Sequence, residues 1–272
     1  YEAINRILNK NKILAPKLFK ENYKKNYIEI QDFGDNTIFK ILKRKNVNKI
    51  LYFKKIINLL CRIQLVKSRS ITNFKNKTYH IPKYNGKILI NEANLFSKWY
   101  AEENLKSSKK KTFSKKFNKV IKELVSKLNL KNDVFVHRDF HVSNLMLIRD
   151  EIGVIDSQDA LIGNRAYDLA SLIDDVRFKT SKSFKKKVYD YYLKKQKNLI
   201  KNKFKNDFEI LSVLRNLKII GIFTRLSLRD GKKKYIKLIP YTWELINMRI
   251  KENEVFFDLK NLLSQNFEKK IK

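Results

Sequence analysis

Apolar residues in this 272-residue chain recur mostly at helical spacing. Ile50, Phe53, Ile57 and Leu60 mark one amphipathic helix, Leu95 and Trp99 a second, and Phe113, Phe117, Ile121 and Leu124 a third. From Phe208 to Ile250 the pattern continues through Leu211, Leu214, Leu217, Phe223 and Leu226, with Asp230-Gly231 predicting a turn. Ile4, Ile7 and Leu8 place a helix at the start of the chain. Strand signals cluster in two places. Residues 17–32, KLFKENYKKNYIEIQD, read as two short strands around a turn at ENYKKN, and residues 145–155, LMLIRDEIGVI, as a hairpin turning near Asp150 to Gly153. Pro82 and Gly86 bracket a loop, and the lysine-rich segment 106–116 is expected to be a mobile loop. No internal repeat is visible. The pattern predicts a two-lobed α+β arrangement: a small strand-bearing piece and a long helical body with one hairpin near its middle.

Composition narrows the class. With 43% hydrophobic and 12% aromatic residues the chain can bury a real core, so disorder is excluded. The longest apolar stretches, IINLLCRIQLV and LKIIGIFTRLSL, are broken by charged or polar residues well short of the roughly 20 needed to cross a bilayer, so no membrane insertion is expected. No signal-peptide pattern stands at the N-terminus, and one cysteine, Cys61, builds no disulfide framework; a reducing, cytoplasmic setting is expected. Cys61 sits among Leu59, Leu60 and Ile63 and reads as a small core residue. The formal charge of +34 raises nucleic acid or anionic lipid as partners. Its lysines, however, are spread along the whole chain beside abundant Asn and Ile, so a basic solvated face is expected rather than specific nucleic-acid binding.

One stretch carries chemistry. In FVHRDFHVSNLML, residues 135–147, Asp139 is followed five residues later by Asn144, and Asp156 comes twelve residues after that. Phosphoryl transfer needs a carboxylate that takes the proton of an attacking hydroxyl, and hard oxygen ligands that hold Mg²⁺ against the phosphates. Asp139 fits the base; Asn144 and Asp156, joined by the hairpin, fit the ligands. D-x-x-x-x-N alone fits an Asx-turn better than a catalytic loop. The apolar run before it, His137 two residues ahead of Asp139, the hairpin after it and Asp159 beyond together select the kinase reading. His137 reads as a buried imidazole that stiffens the loop. A zinc site is disfavoured, because His137 and His141 have no cysteine partners.

HRDFHVSN followed by GVIDSQDALIGNRAYDLASLIDD resembles the phosphotransferase family that includes aminoglycoside and choline kinases, relatives of the protein kinases. Within it, EIQDFGDNT, NEANLFSKWY, VHRDFHVSNLM and IGIFTRLSLRDGKKKYIKLIP resemble the bacterial sugar kinases that phosphorylate the anomeric hydroxyl of N-acetylmuramate and N-acetylglucosamine in peptidoglycan recycling. The resemblance runs from residue 29 to about 240. It implies a protein kinase-like fold in which residues 1–33 are a remnant of the small lobe and hinge, and residues 34–272 a helical large lobe with the catalytic loop at 135–159. It implies ATP and Mg²⁺ as cofactors, a small-molecule sugar acceptor and a monomer. By position, Asp139 matches the base, Asn144 and Asp156 the metal ligands, and Asp168 an acid that braces the catalytic loop. Glu29, Ile30, Gln31 and Asp32 match the hinge that holds adenine. Asp159, Glu92, Trp99 and Arg225 are candidates for the sugar side, with Arg229 beside them. Two departures are visible: Ser157 stands where an aromatic residue is usual, and Asn164 near where proline is common.

The family also needs a Gly-rich loop over the phosphates and a strand lysine. The six glycines, at 34, 86, 153, 163, 221 and 231, include no close pair. Those elements are therefore expected before residue 1, with Glu2 a candidate partner for the lysine, and the 272-residue piece is expected to be impaired in ATP binding. Two rival readings stand: an aminoglycoside- or choline-type kinase, and a non-catalytic basic module for RNA or lipid.

Overall fold

The structure is a computed structural model that describes residues 1–251 and 253–271. In chain order its helices are α1 (Glu2–Lys10), α2 (Ile38–Leu42), α3 (Lys49–Gln64), α4 (Gly86–Ala93), α5 (Glu102–Asn104), α6 (Ser107–Ser126), α7 (Ala166–Ile173), α8 (Lys182–Lys195), α9 (Lys201–Leu228), α10 (Ile239–Ile250) and α11 (Phe257–Asn266). Its strands are β1 (Leu18–Asn22), β2 (Tyr27–Ile30), β3 (Ser70–Thr72), β4 (Thr78–His80), β5 (Asn132–Val136), β6 (Leu145–Ile148), β7 (Glu151–Val154) and β8 (Leu161–Asn164). The chain forms two compact units, residues 1–84 with 131–199, and residues 85–130 with 200–272. Among the described residues no helix is long and apolar enough to cross a membrane.

In the first unit the strands pair as antiparallel ribbons, β1 with β2, β3 with β4, β5 with β8 and β6 with β7. The helix α3 anchors them. Asn48 caps it, its side chain accepting from Leu51 N, an arrangement worth about 1 kcal/mol. Ile56, Ile57, Leu60 and Ile63 are fully buried, each contributing roughly 1.5–3 kcal/mol, and the helix packs on β5, β7 and α8. Cys61 is half-buried, its Sγ receiving Gln196 Nε2 at 3.4 Å, and burial pushes its thiol pKa up. That is the environment of a packing residue, not of a nucleophile.

Two details differ from the sequence pattern here. The β6–β7 turn falls at Arg149 and Asp150, with Arg149 at φ 54°, not at Asp150 to Gly153. Gly153 lies inside β7, where a Cβ would stand 2.7 Å from Ile148 Cδ1 and 2.9 Å from Phe33 Cε2, so its role is close packing. The β3–β4 hairpin was not expected at all. It turns through Asn73–Asn76, with the Asn73 side chain accepting from Lys75 N and Lys77 N, and its strands are only three residues long.

The second unit corrects a larger expectation. Residues 107–116 are not a mobile loop but the first half of α6, whose twenty residues bury Phe113, Phe117, Ile121 and Leu124 along one face and leave the lysines on the other. The apolar stripe decides the structure, because long lysine side chains on the opposite face stay hydrated at little cost. Phe96 stacks on Phe117 at 5.3 Å and meets the edge of Trp243 at 5.6 Å; Phe113 meets Phe267 at 5.5 Å. Phe96 belongs to a π-helical segment, Phe96–Ala101, that follows α4. Between Phe208 and Leu217 every residue of α9 is buried, so this stretch has no solvent face. Asp207 at its start is buried and accepts from Asn129 N and Leu130 N, both at 2.8 Å, which fastens the end of the α6 loop.

Candidate active site

The strand β5 ends at Val136 and delivers residues 137–144 as a tight loop. Asp168, in the first turn of α7 and wholly buried, accepts from His137 N at 2.7 Å and Arg138 N at 3.0 Å. A buried carboxylate is costly unless hydrogen-bonded, and these two N–H groups supply the compensation while fixing the loop. Arg138 takes φ 74°, a strained left-handed conformation that turns the chain so that Asp139 follows, partly exposed. The His137 ring is buried, with Nε2 at 3.0 Å from Ile155 O, so Nε2–H donates across to the strand that leads to Asp156. Burial holds its pKa below the ordinary 6.5, keeping the imidazole neutral.

The loop closes through its own main chain. His141 N donates to Asp139 O at 3.0 Å, and the Asn144 amide reaches back to the same carbonyl at 3.1 Å. Ile155 N then donates to Asn144 O at 3.1 Å, bringing the far end of the β6–β7 hairpin alongside. As a result Asn144 Nδ2 lies 3.4 Å from Asp156 Oδ2, although twelve residues separate them. Asp156 is exposed and at φ 63°. Gln158 Nε2 donates to its other oxygen at 2.7 Å. Among the described residues no lysine or arginine forms an ion pair with Asp156, notable in a chain of net charge +34.

This donor set fits a hard divalent cation. One amide and one carboxylate lie side by side, the carboxylate is open to solvent, and no protein cation neutralises it. Mg²⁺ keeps several waters and takes one or two carboxylates plus phosphate oxygens, so two protein ligands suffice. Among the described residues no group of three or more His, Cys, Asp or Glu is placed to hold a metal ion.

The other candidates fall as follows. Asp159 is exposed and lies 3.9 Å from Arg138 Nη1, whose guanidinium also sits over the Tyr84 ring at 5.5 Å. Glu29 and Ile30 end β2, with Glu29 opposite Lys20 and Ile30 opposite Leu18. Gln31 N donates to Lys17 O at 2.8 Å, and the Asp32 carboxylate accepts from Gly34 N at 2.7 Å, so this connection is a shaped turn. Ser157 is buried and donates to the Asn5 side chain, where an aromatic ring would find no such partner.

Glu92, Trp99 and Arg225 all belong to the second unit, along one helix seam. Glu92 pairs with Lys218 of α9 at 3.0 Å, both side chains nearly buried. Three residues on, Gly221 lies so close to the backbone of Leu95 and Phe96 that no Cβ fits. Arg138, Gln158 and Lys218 were not singled out by sequence reasoning. Arg138 and Gln158 carry no signal beyond their adjacency to Asp139 and Asp156, and Lys218 is one lysine among many.

Comparison with known proteins agrees with this geometry. The family description "Phosphotransferase enzyme family" (APH) matches residues 51–199. An N-acetylmuramate/N-acetylglucosamine kinase of Neisseria meningitidis serogroup B is 36% identical over 168 residues, 59% of this chain and 50% of that protein. The kinase of the same name from Pseudomonas putida is 25% identical over 97% of this chain and 77% of its own length. The chain thus spans half the length of the first of these relatives. Among solved structures, an ethanolamine kinase of Plasmodium vivax superposes with a TM-score of 0.60 at 17% identity, over 89% of this chain and 70% of that one, a likeness of fold. With a loop braced by Asp168, the Asn144 and Asp156 side chains brought together, and a family match across more than half its length, the chain belongs to the phosphotransferase enzyme family.

Proposed function

We propose that the protein is an ATP-dependent kinase that phosphorylates the anomeric hydroxyl of an amino sugar, N-acetylmuramate or N-acetylglucosamine. The observation that carries the reading is the Asp139–Asn144–Asp156 arrangement on a loop braced by Asp168. The names of the sequence relatives support the choice of sugar.

Asp139 would receive the proton of the acceptor hydroxyl as its oxygen bonds to the γ-phosphorus of ATP and the bond to ADP breaks. The Asp139 carbonyl accepts from His141 N and from the Asn144 amide, and Arg138 N beside it is held by Asp168, so the loop is shaped before substrate arrives. Asn144 and Asp156 would hold Mg²⁺, which supplies positive charge to the phosphate oxygens. The neutral, buried His137 adds no charge to the loop and ties it to Ile155, ahead of Asp156. Residues Glu29 to Asp32 are the proposed adenine hinge, and residues 1–33 and 34–272 the small- and large-lobe parts of the kinase. Asp159, Glu92, Trp99 and Arg225 are proposed for the sugar side.

The test is product formation with labelled ATP against a panel of N-acetylmuramate, N-acetylglucosamine, choline and an aminoglycoside. Phosphorylation of an amino sugar, lost by about 10²- to 10⁴-fold in Asp139→Asn, is expected. Turnover of choline or the aminoglycoside alone would replace the acceptor assignment, and unchanged turnover in Asp139→Asn would remove Asp139 as the base.

A further inference from the structure

Asn5 is a buried amide among Ile4, Ile7 and Leu8, the apolar residues that α1 turns inwards. An amide in that position costs free energy unless both its ends are bonded, and here both are. Its Nδ2 donates to Pro16 O at 2.8 Å, and its Oδ1 accepts from Ser157 Oγ, 152 residues away in the sequence. Ser157 is itself wholly buried, and both residues belong to the first unit.

Ser157 directly follows Asp156, which stands at φ 63°. A residue with a side chain keeps that left-handed conformation where its neighbours hold the chain on either side. Before it, Ile155 is tied twice, its N donating to Asn144 O at 3.1 Å and its O accepting from His137 Nε2 at 3.0 Å. Immediately after it, Ser157 O accepts from Ala160 N at 3.0 Å within the same turn, while Ser157 Oγ reaches out of the turn to α1. We infer that Asn5 is a positioning residue for Asp156: through Ser157 it holds the main chain that sets Asp156 Oδ2 at 3.4 Å from Asn144 Nδ2. This rests on the reading of Asp156 as a Mg²⁺ ligand. Asn9, one turn further along α1, supplies the comparison. Its amide makes bonds of the same kind, Nδ2 to Ala15 O at 2.9 Å and Oδ1 from Ala15 N at 3.3 Å, both to the connection after α1.

The experiment measures the affinity for Mn²⁺, a paramagnetic substitute that takes the same oxygen ligands, by electron paramagnetic resonance, together with the urea midpoint. The proteins are the wild type, Ser157→Ala, Asn5→Ala, the double variant, Asn9→Ala and Asp156→Asn. Ser157→Ala and Asn5→Ala are each expected to weaken Mn²⁺ binding by about 3- to 10-fold, and the double variant by no more than the larger single loss. Asn9→Ala should lower the urea midpoint and leave Mn²⁺ affinity unchanged. Ser157→Ala removes only a hydroxyl and carries the test by itself where Asn5→Ala does not fold. Unchanged Mn²⁺ affinity in Ser157→Ala, an equal loss in Asn9→Ala, or losses that add in the double variant would overturn the inference and leave Asp156 as a ligand. No Mn²⁺ binding by the wild type, or binding that Asp156→Asn leaves unchanged, would overturn the ligand reading itself, and this inference with it.

Discussion

At the scale of single residues, Asp168 does more for the site than its position in a helix suggests. It lies about thirty residues beyond the loop it holds, and both its carboxylate oxygens accept from backbone N–H groups of that loop. Asp168→Ala would strand those two donors, so we expect a loss of about 2–4 kcal/mol in urea unfolding. An unchanged midpoint would show that the brace is dispensable. The approach of Asn144 to Asp156 could be anticipated from the sequence, because a loop and a two-stranded hairpin allow few ways to join them. Asp168 could not. Its role came only from resemblance, since no local pattern links an acid in one helix to amides thirty residues earlier.

At the scale of elements, the decisive packing event in the second unit is the seam between α9 and the π-helical segment. A Gly→Ala change inside a helix ordinarily gains about 1 kcal/mol in propensity. At Gly221 the new Cβ would instead meet backbone of Leu95 and Phe96, which cannot rotate away. Gly221→Ala is therefore expected to destabilise by about 1–3 kcal/mol, measured as a lower thermal midpoint. A raised midpoint would show that the seam is looser than the structure has it. The elements misread from sequence share a cause. Residues 107–116 looked like a loop because eight of the ten are Lys or Ser, yet Phe113 alone, continuing to Phe117 and Ile121, commits them to a helix. In β3–β4 the strands were too short to stand out as a pattern, and their turn is made by Asn73 side-chain bonds.

At the scale of the whole molecule, charge and burial act together on stability. With a net charge of +34, acidification adds to self-repulsion. The buried His137 adds a specific contribution of known sign. Its folded pKa lies below the ordinary 6.5 because burial disfavours the cation, so below pH 6.5 the unfolded chain binds a proton that the folded one refuses. Its contribution is fully present above pH 6.5 and falls away as pH drops from there towards the folded value. His137→Gln, which keeps a donor for Ile155 O, is expected to flatten that part of the curve of thermal midpoint against pH. An identical slope in both proteins would show that His137 is not buried neutral.

The sequence by itself determined the class of element along most of the chain and the candidate chemistry of the loop after β5. Both depend on short-range spacing: apolar residues three and four apart, and an acid, an amide and an acid on a loop and hairpin. Tertiary structure decided which groups meet. It brought Asn144 to 3.4 Å from Asp156, set Asp168 beneath the loop and paired Lys218 with Glu92. Those outcomes depend on long-range packing and on the backbone room left by one glycine, which no count along the chain records.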